Sequence, residues 1–575
     1  MNDIVWLTMR RMRTSLIVLI LVYFLSVFIM VAIPGMDESG NQVQMGYLDA
    51  AYFVAIMATT IGLGEVPYAF TEVQRLTVFL LILPNVVAWL YAIGTILGLF
   101  LDPQFRAVLH RSRFSQRIRW LGEPFYIVCG LGNTGGMVVS GLLKRGLHAV
   151  VLEQNPETIQ KMFLDDIYQH VPALEADPSS RSHLELAGLY SPHCRGIIAT
   201  TSDDQVNLKI AITTKLLRPE LPVLARAESS RVSANMISFG TDYTIDPYSI
   251  FAERLFLALS SPVKYLVQDW LISVPGSSLR EPLKPPAGRW IVCGAGRFGS
   301  RMLDQLQDSG LPFTVVDVLE ERLEGYENGI LGRGTEVDTL LEAGIHDAVG
   351  IIAGTGDDVD NLSIIMTALQ VNQNLFVVGR QERRENDELF DASGAHLVAR
   401  RSLIVARRIL AVATTPLIQT FLQHLVISDT DFAERSAARL RAVLQGKSPS
   451  LWVVDMSGEI GDSVKQSREN GISLKLGHIT HNTRSESAEN LECVCLVLER
   501  GAQRLFLPDA DNDLLAGDRL LFAGRGNARR EMMWGLMDAN SLLGFATNQQ
   551  LPRGTVWRWL YNHRQKKRAT ISTPD

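Results

Sequence analysis

The chain has 575 residues, with 55 lysines and arginines against 61 acidic residues and a net charge of −6. That length exceeds a single hydrophobic core and predicts roughly three or four domains, while the slight acidity excludes a polybasic nucleic-acid binder. The five cysteines are too scattered for a disulfide framework, and Cys493-Val-Cys495 has one intervening residue where a zinc or thioredoxin motif has two, so the bulk of the chain reads as reduced and cytosolic.

Thr14 to Ile33 is twenty residues without a charge, long enough to cross a hydrocarbon core of ~30 Å. A secretory signal is the alternative, but no small-residue cleavage site follows and a second apolar run comes soon after. That run, Leu76 to Leu101, is twenty-six uncharged residues and predicts a tilted span. Arg10, Arg11 and Arg13 precede the first span, and Arg106, Arg111, Arg113, Arg117 and Arg119 follow the second. The connecting loop carries Asp37, Glu38 and Asp49. By the excess of positive charge, both termini and everything after Leu101 are expected on the cytoplasmic side of a cell (inner) membrane, with the loop outside.

Between the spans, "MGYLDAAYFVAIMATT" (Met45–Thr60) is apolar but too short to cross, and predicts a re-entrant helix over Tyr47–Thr59. It runs into "TTIGLGE" at Thr59–Glu65. Irregular backbone at membrane depth is tolerated only where it is buried in protein or lines a water-filled path. Alternating glycines there let carbonyls point one way, because glycine reaches dihedrals that other residues resist.

The stretch T-I-G-L-G at Thr60–Gly64 resembles the potassium-channel signature T-V-G-Y-G, and the order span, pore helix, filter, span is similar to the two-transmembrane class. The resemblance implies a homotetramer in a lipid bilayer, with K⁺ as the permeant ion. It assigns Thr60, Ile61, Gly62, Leu63 and Gly64 to the selectivity filter, where backbone carbonyls and the Thr60 hydroxyl replace the ion's hydration shell. Two positions depart from the pattern: Leu63 stands in place of tyrosine and Glu65 in place of aspartate, which puts filter stiffness in question. Pro84, near the middle of the second span, predicts a fixed kink. Asn85 either satisfies a freed carbonyl or faces the cavity. Ile93 and Leu97 share a helix face and form either an apolar gate that closes by dewetting or a lipid or helix contact.

After a basic linker the sequence "FYIVCGLGNTGGMVVSGLLKRGLHAVVLEQN" returns as "RWIVCGAGRFGSRMLDQLQDSGLPFTVVDVL", with Gly130 and Gly294 lying 164 positions apart. A repeat of that size is a duplicated domain. Each copy reads strand, glycine turn, helix, strand. The turns are Gly130, Gly132, Gly135 and Gly294, Gly296, Gly299, and an acid follows eighteen positions after the last glycine, at Glu153 and Asp317. G-x-G-x-x-G in this context, found twice, points to Rossmann-type domains that hold a pyrophosphate at a helix N-terminus and ribose hydroxyls at the acid. The expected ligand is NAD/NADH or an adenine nucleotide. Arg297 adds charge inside the second turn, and its counterpart is Asn133. Further on, "ATTSDDQVNL" matches "AGTGDDVDNL" and Arg226 matches Arg380, displaced by 154, so the second copy lacks ten residues, expected in a loop around Glu157–Pro178.

These features resemble the RCK (KTN) domains of K⁺ channels and transporters. Both copies carry the D-D-x-x-N turn, at Asp203, Asp204, Asn207 and at Asp357, Asp358, Asn361, whereas the G-D element appears as Ala176-Asp177 and Gly332-Arg333. Arg297 and Arg333 favour the second copy as the occupied one. The resemblance implies an octameric gating ring from four subunits, and divalent-ion (Ca²⁺) binding without an assigned residue. Asp509, Asp511 and Asp513 read as a solvated turn, because Leu514 replaces the glycine of a calcium loop.

The expected architecture is a membrane α-helical pore, with two spans plus a re-entrant pore helix and filter, followed by two α/β Rossmann-type RCK domains with small C-terminal lobes. Its boundaries are a pore domain at 1–104, a linker at 105–122, a first RCK domain at 123–286, a second at 287–540 with its lobe at about 430–530, and a basic tail at 541–575. The leading function is a ligand-gated K⁺ channel and not an enzyme. The alternatives are a membrane-tethered NAD oxidoreductase, for which His193 and His346 are the histidines placed near strands, and an RCK regulatory subunit of a K⁺ transporter.

Overall fold

The computed structural model describes residues 2–36, 41–279, 283–469, 473–481 and 490–537. Asp37, Glu38 and the basic tail at 541–575 lie outside the described residues. Contacts divide the chain into a membrane unit ending at Gly122 and a larger unit that follows.

Among the described residues the membrane unit has four helices: α1 (Asn2–Ala32), α2 (Tyr47–Ala58), α3 (Glu72–Leu101) and α4 (Pro103–Arg119). Met12–Ala32 and Glu72–Leu101 are long and apolar enough to span a membrane. The twelve residues of α2 reach only ~18 Å. The start of α3 is set by a capping box in which the Thr71 hydroxyl accepts from the Gln74 amide and the Gln74 side chain accepts from the Thr71 amide. Gln74 Nε2 also donates to the Ile33 carbonyl, which ties the first turn of α3 to the end of α1. The three membrane helices close on a small core of Met30, Ala50, Phe53, Val54 and Phe70, where Phe53 and Phe70 meet edge to face at 4.9 Å. Outside it, Phe24, Phe79 and Leu83 are all at least 70% exposed, a surface suited to lipid or to further copies of the chain. The basic linker is itself helical, as α4, with Arg117 and Arg119 in its last turn, where the helix dipole favours cations.

In the larger unit the first copy is a six-stranded parallel sheet of β1 (Phe125–Cys129), β2 (His148–Glu153), β3 (Ala173–Glu175), β4 (Cys194–Ala199), β5 (Val223–Arg226) and β6 (Tyr243–Ile245). Helix α5 (Asn133–Leu143) follows β1 and α6 (Asp204–Leu217) follows β4. The strand order is 3-2-1-4-5-6, the doubly wound arrangement whose reversal beside β1 opens a crevice at the strand ends. Two helices then leave the sheet, α7 (Pro247–Ser260) and α8 (Pro262–Ile272).

The second copy repeats the order with β7 (Trp290–Cys293), α9 (Arg297–Asp308), β8 (Phe313–Asp317), β9 (Gly329–Leu331), β10 (Gly350–Ala353), α10 (Asp358–Val371), β11 (Phe376–Gln381) and β12 (Leu397–Arg400). It ends in a matching helix pair, α11 (Arg401–Thr414) and α12 (Leu417–Ile427), then α13 (Thr430–Leu444). Most of the residues missing from this copy do not correspond to a loop: eight of the ten fall between the second and third strands, where Val151 pairs with Ala173 but Val315 with Gly329. There the first copy forms the helix Pro156–Met162 and a short turn, started by Asn155 capping the Glu157 amide and by proline in the first turn.

The copies exchange helices. Val405, Ala406, Ile409 and Leu410 of α11 pack in the core of the first copy, against Val138, Val139 and Leu142 of α5. Tyr248, Phe251 and Leu255 of α7 pack in the core of the second, against Phe298 and Met302 of α9. Each sheet is therefore covered on one face by a helix from the other copy.

One antiparallel lobe follows, of β13 (Ser450–Asp455), β14 (Cys493–Arg500), β15 (Gln503–Phe506) and β16 (Arg519–Gly524), in the order 13-16-14-15. Its inner face packs on α12, α13 and also α8, through Leu266, Val267 and Trp270. The aspartates at 509–513 are dispersed, with Asp509 paired to Arg439, Asp511 to Lys475 and Asp513 bonded by Ser473.

Candidate functional site

At the end of α2 the amides of Thr60 and Ile61 donate to the carbonyls of Met57 and Ile56, which turns the chain without leaving those helix-end carbonyls unpaired. Thr60, Gly62 and Gly64 then have φ of 60°, 64° and 92°, while Ile61 and Leu63 between them do not adopt positive φ. A positive φ at every second residue reverses alternate peptides, so carbonyls that would alternate sides along a strand can turn to one side. The two glycines adopt it freely, whereas Thr60 is β-branched and strained by about 1–3 kcal/mol. Leu63 offers no hydroxyl to hold this segment. Glu65 does hold it: its carboxylate accepts from the Phe70 amide at 2.8 Å and from Arg75 Nε at 2.7 Å and Nη2 at 3.2 Å.

Pro84 lies inside α3 and cannot donate to the carbonyl four residues earlier. Asn85 does not face a cavity. It is fully buried, and its Nδ2 donates to Ser26 Oγ of α1 at 2.7 Å and to the Leu81 carbonyl at 2.8 Å. Leu97 is exposed and Ile93 half-buried in the single chain, off the α1-facing side marked by Asn85, Ala88 and Ala92.

The second copy has a cleft of about 300 Å³ at the strand ends, lined by Gly294, Gly296, Asp317, Arg322, Arg333 and Arg380, among others. Gly294 has φ of 95°, and a Cβ on Gly299 would lie 1.8 Å from the Gly294 carbonyl oxygen. The third glycine is thus demanded by the close approach of helix to turn. The first copy is built alike, with the corresponding distance from Gly135 to the Gly130 carbonyl 1.9 Å. The acids at the ends of the second strands brace the turns. Asp317 accepts from the Ala295 and Leu319 amides at 2.7 and 3.0 Å, and Glu153 from the Leu131 and Asn155 amides at 2.5 and 2.8 Å. Each carboxylate oxygen keeps a second lone pair for a ribose hydroxyl.

The charge of the two copies differs at this place. Arg322 Nη1 lies 3.6 Å from Asp317 and Arg333 lines the cleft. At the place of Arg333 the first copy has Asp177, whose carboxylate accepts from the Ser179 amide. Asn133, the counterpart of Arg297, is the first residue of α5. Arg297 is not among the residues lining the second cleft. Its Nη1 instead pairs with Glu228 Oε2 of the first copy at 2.8 Å.

The D-D-x-x-N motif is a staple between adjacent strands. Asp357 caps α10. Asp358 accepts from the Glu382 and Arg383 amides, and fully buried Asn361 donates to the Thr355 and Arg380 carbonyls while accepting from the Thr355 amide. Asp204 and Asn207 make the matching bonds to Glu228, Ser229, Thr201 and Arg226. Arg380, visible in the sequence only as a repeat partner of Arg226, is placed by this staple. Its Nη2 donates to the Tyr248 hydroxyl at 2.9 Å and its Nε to Glu382 at 2.7 Å.

Between the copies Arg401 bridges Glu228 at 3.0 Å and Glu382 at 3.1 Å. Glu228 also pairs with Arg226. Burial alone would raise the Glu228 pKa, but the three guanidiniums of Arg226, Arg401 and Arg297 outweigh it and hold the carboxyl below its ordinary range. No periodicity or motif signals this cluster. Its only trace in the sequence is the repeated R-x-E at Arg226–Glu228 and Arg380–Glu382.

His346 is exposed, His193 lies in the turn before β4, and neither lines the second cleft. Among the described residues no group of three or more His, Cys, Asp or Glu side chains is placed to hold a metal ion. All five cysteines are free and buried, and burial pushes the Cys293 thiol up to about 12.

Comparison with known proteins agrees with this partition. The chain matches the ion channel family over residues 16–101 and the TrkA-N domain family twice, over 126–247 and 290–400. It is 24% identical over 244 residues to potassium channel protein 1 of Methanocaldococcus jannaschii, covering 42% of this chain and 68% of the relative. It is also 26% identical over 197 residues to probable potassium channel protein 2 of the same organism, covering 32% and 57%. Its fold is similar to that of the GsuK channel, with a TM-score of 0.50 at 16% identity over 92% of this chain and 99% of the other.

Proposed function

From a chain that belongs to the two-transmembrane potassium channels with tandem TrkA-N (RCK) domains, a family of channels and not of enzymes, we propose a tetrameric K⁺ channel gated by nucleotide. K⁺ passes the Thr60–Gly64 filter, the α3 helices line the pore, and the RCK copies of four subunits form a cytoplasmic ring. The observation that carries the gating reading is the second cleft, where an open glycine turn at the N-terminus of α9 faces Arg322 and Arg333. Backbone amides, a helix dipole and guanidiniums together suit a diphosphate, and Asp317 suits the ribose of NAD or an adenine nucleotide. The first copy has Asp177 at the place of Arg333 and Asn133 at the place of Arg297, so the second is taken as the principal site.

A bound nucleotide biases the pore only through its differential affinity for the open and closed states of the ring. Nothing in the described residues assigns a Ca²⁺ site, so divalent control is a separate arm of the test. The experiment is K⁺ flux and bilayer recording with the purified chain, adding ADP, ATP, NAD, NADH and Ca²⁺ in turn on the cytoplasmic side. Flux that responds to a nucleotide supports the proposal. Absence of flux refutes the channel, and flux indifferent to every nucleotide refutes the gating.

A further inference from the structure

Arg297 is the first residue of α9, one position after Gly296 of the glycine turn, yet its guanidinium is given to a carboxylate of the other copy. In that pair the arginine side chain is 64% exposed and Glu228 only 5%. The arginine is therefore free to swing and the glutamate is not. Asp204 holds the Glu228 amide, while Arg226 and Arg401 hold its carboxylate. On the other flank Arg380, which lines the same cleft, is bonded to Glu382, and Arg401 joins Glu382 to Glu228.

We propose that Glu228 is a positioning residue of the second cleft, a built-in carboxylate that holds Arg297 and surrenders it to the phosphates of the bound ligand. This rests on reading that cleft as the nucleotide site. Phosphate oxygens at the N-terminus of α9 offer Arg297 the same charge-assisted acceptors as the carboxylate does. The exchange leaves no buried charge unpaired, because Glu228 keeps Arg226 and Arg401. It does change the balance between the copies. Having lost one of three cations, Glu228 draws harder on Arg401, the residue it shares with Glu382. Occupancy of a cleft in the second copy is thereby felt at a residue of the first.

The test is calorimetric titration of the full-length protein in detergent with ADP, NAD and adenosine. Glu228→Gln keeps the side-chain volume and removes the competing charge, so ADP and NAD bind about fivefold tighter, the size of one ordinary net hydrogen bond. Adenosine, which has no phosphate, binds unchanged. Arg297→Gln, at an exposed side chain that does not threaten folding, weakens ADP but not adenosine, and in the double variant the Glu228→Gln gain disappears. Unchanged or weaker ADP binding in Glu228→Gln overturns the proposal, as does an equal shift for ADP and adenosine, which is the mark of a merely structural role. Wild-type protein that binds no nucleotide overturns the cleft reading itself, a result distinguishable from the others.

Discussion

The two asparagines of the duplicated staple allow one substitution to be made twice. Asn361 is fully buried, donates to the Thr355 carbonyl at 3.2 Å and the Arg380 carbonyl at 2.9 Å, and accepts from the Thr355 amide at 2.9 Å and its hydroxyl at 2.8 Å. Asn207, also fully buried, has the corresponding four bonds at 3.1, 3.0, 3.1 and 2.7 Å. Alanine at either site removes all four and takes this partner from three backbone groups, of which the arginine carbonyl lies in a buried bond. At about 1 kcal/mol per lost bond, with the Thr hydroxyl free to find another partner, each variant loses roughly 3–4 kcal/mol. The two losses should agree, because the geometry does. Ligand binding should not agree. The Asn361 bond to the Arg380 carbonyl holds a residue of the second cleft, so Asn361→Ala weakens ADP binding while Asn207→Ala spares it. Thermal unfolding of the full-length protein in detergent, followed by intrinsic fluorescence and paired with ADP titration, reads both. A large stability loss in one copy only would refute the shared staple. Equal loss of ADP binding in both would refute the placement of the ligand in the second copy.

Other predictions follow from single contacts. Gly299→Ala forces a methyl to within 1.8 Å of the Gly294 carbonyl oxygen, so it should abolish ADP binding, whereas Gly135→Ala should leave it; calorimetry distinguishes them. Leu97→Asp should wet the proposed gate and raise open probability, and unchanged closed times in single-channel recordings would sink that assignment. Arg75→Gln should lower the K⁺ over Na⁺ permeability ratio by freeing the Glu65 end of the proposed filter, as read from bi-ionic reversal potentials. The hydrogen bond from Arg75 holds the Glu65 pKa below its ordinary 4.5. The bridge is therefore complete above that value and lost only as pH on its side of the membrane falls below it through the lowered one. Selectivity that declines already between about pH 7 and 5 would refute the role of the bridge.

Several parts of the molecule were legible before any coordinate. Charge-free runs of twenty and twenty-six residues correspond to the spans in α1 and α3, and the short apolar run between them became α2. The two glycine turns with their acids became the first βαβ units of two sheets with the same strand order. Such features depend on a few consecutive residues, so local pattern suffices. The helix inserted after β2 was misplaced as a loop, because its seven residues carry too short a pattern to show a period.

Sequence by itself determined that there are two copies, that each has a phosphate-ready turn, and that the second carries more cations. Tertiary structure alone decided which sheet each crossover helix covers. The apolar face of α7 or α11 requires burial but names no partner, and two similar copies offer two similar surfaces. That exchange brings Arg401, at the start of α11, between Glu228 and Glu382. The partner of Arg297 was undecidable for the same reason. A guanidinium pairs with whatever carboxylate the fold delivers, and Glu228 lies sixty-nine positions away in the chain.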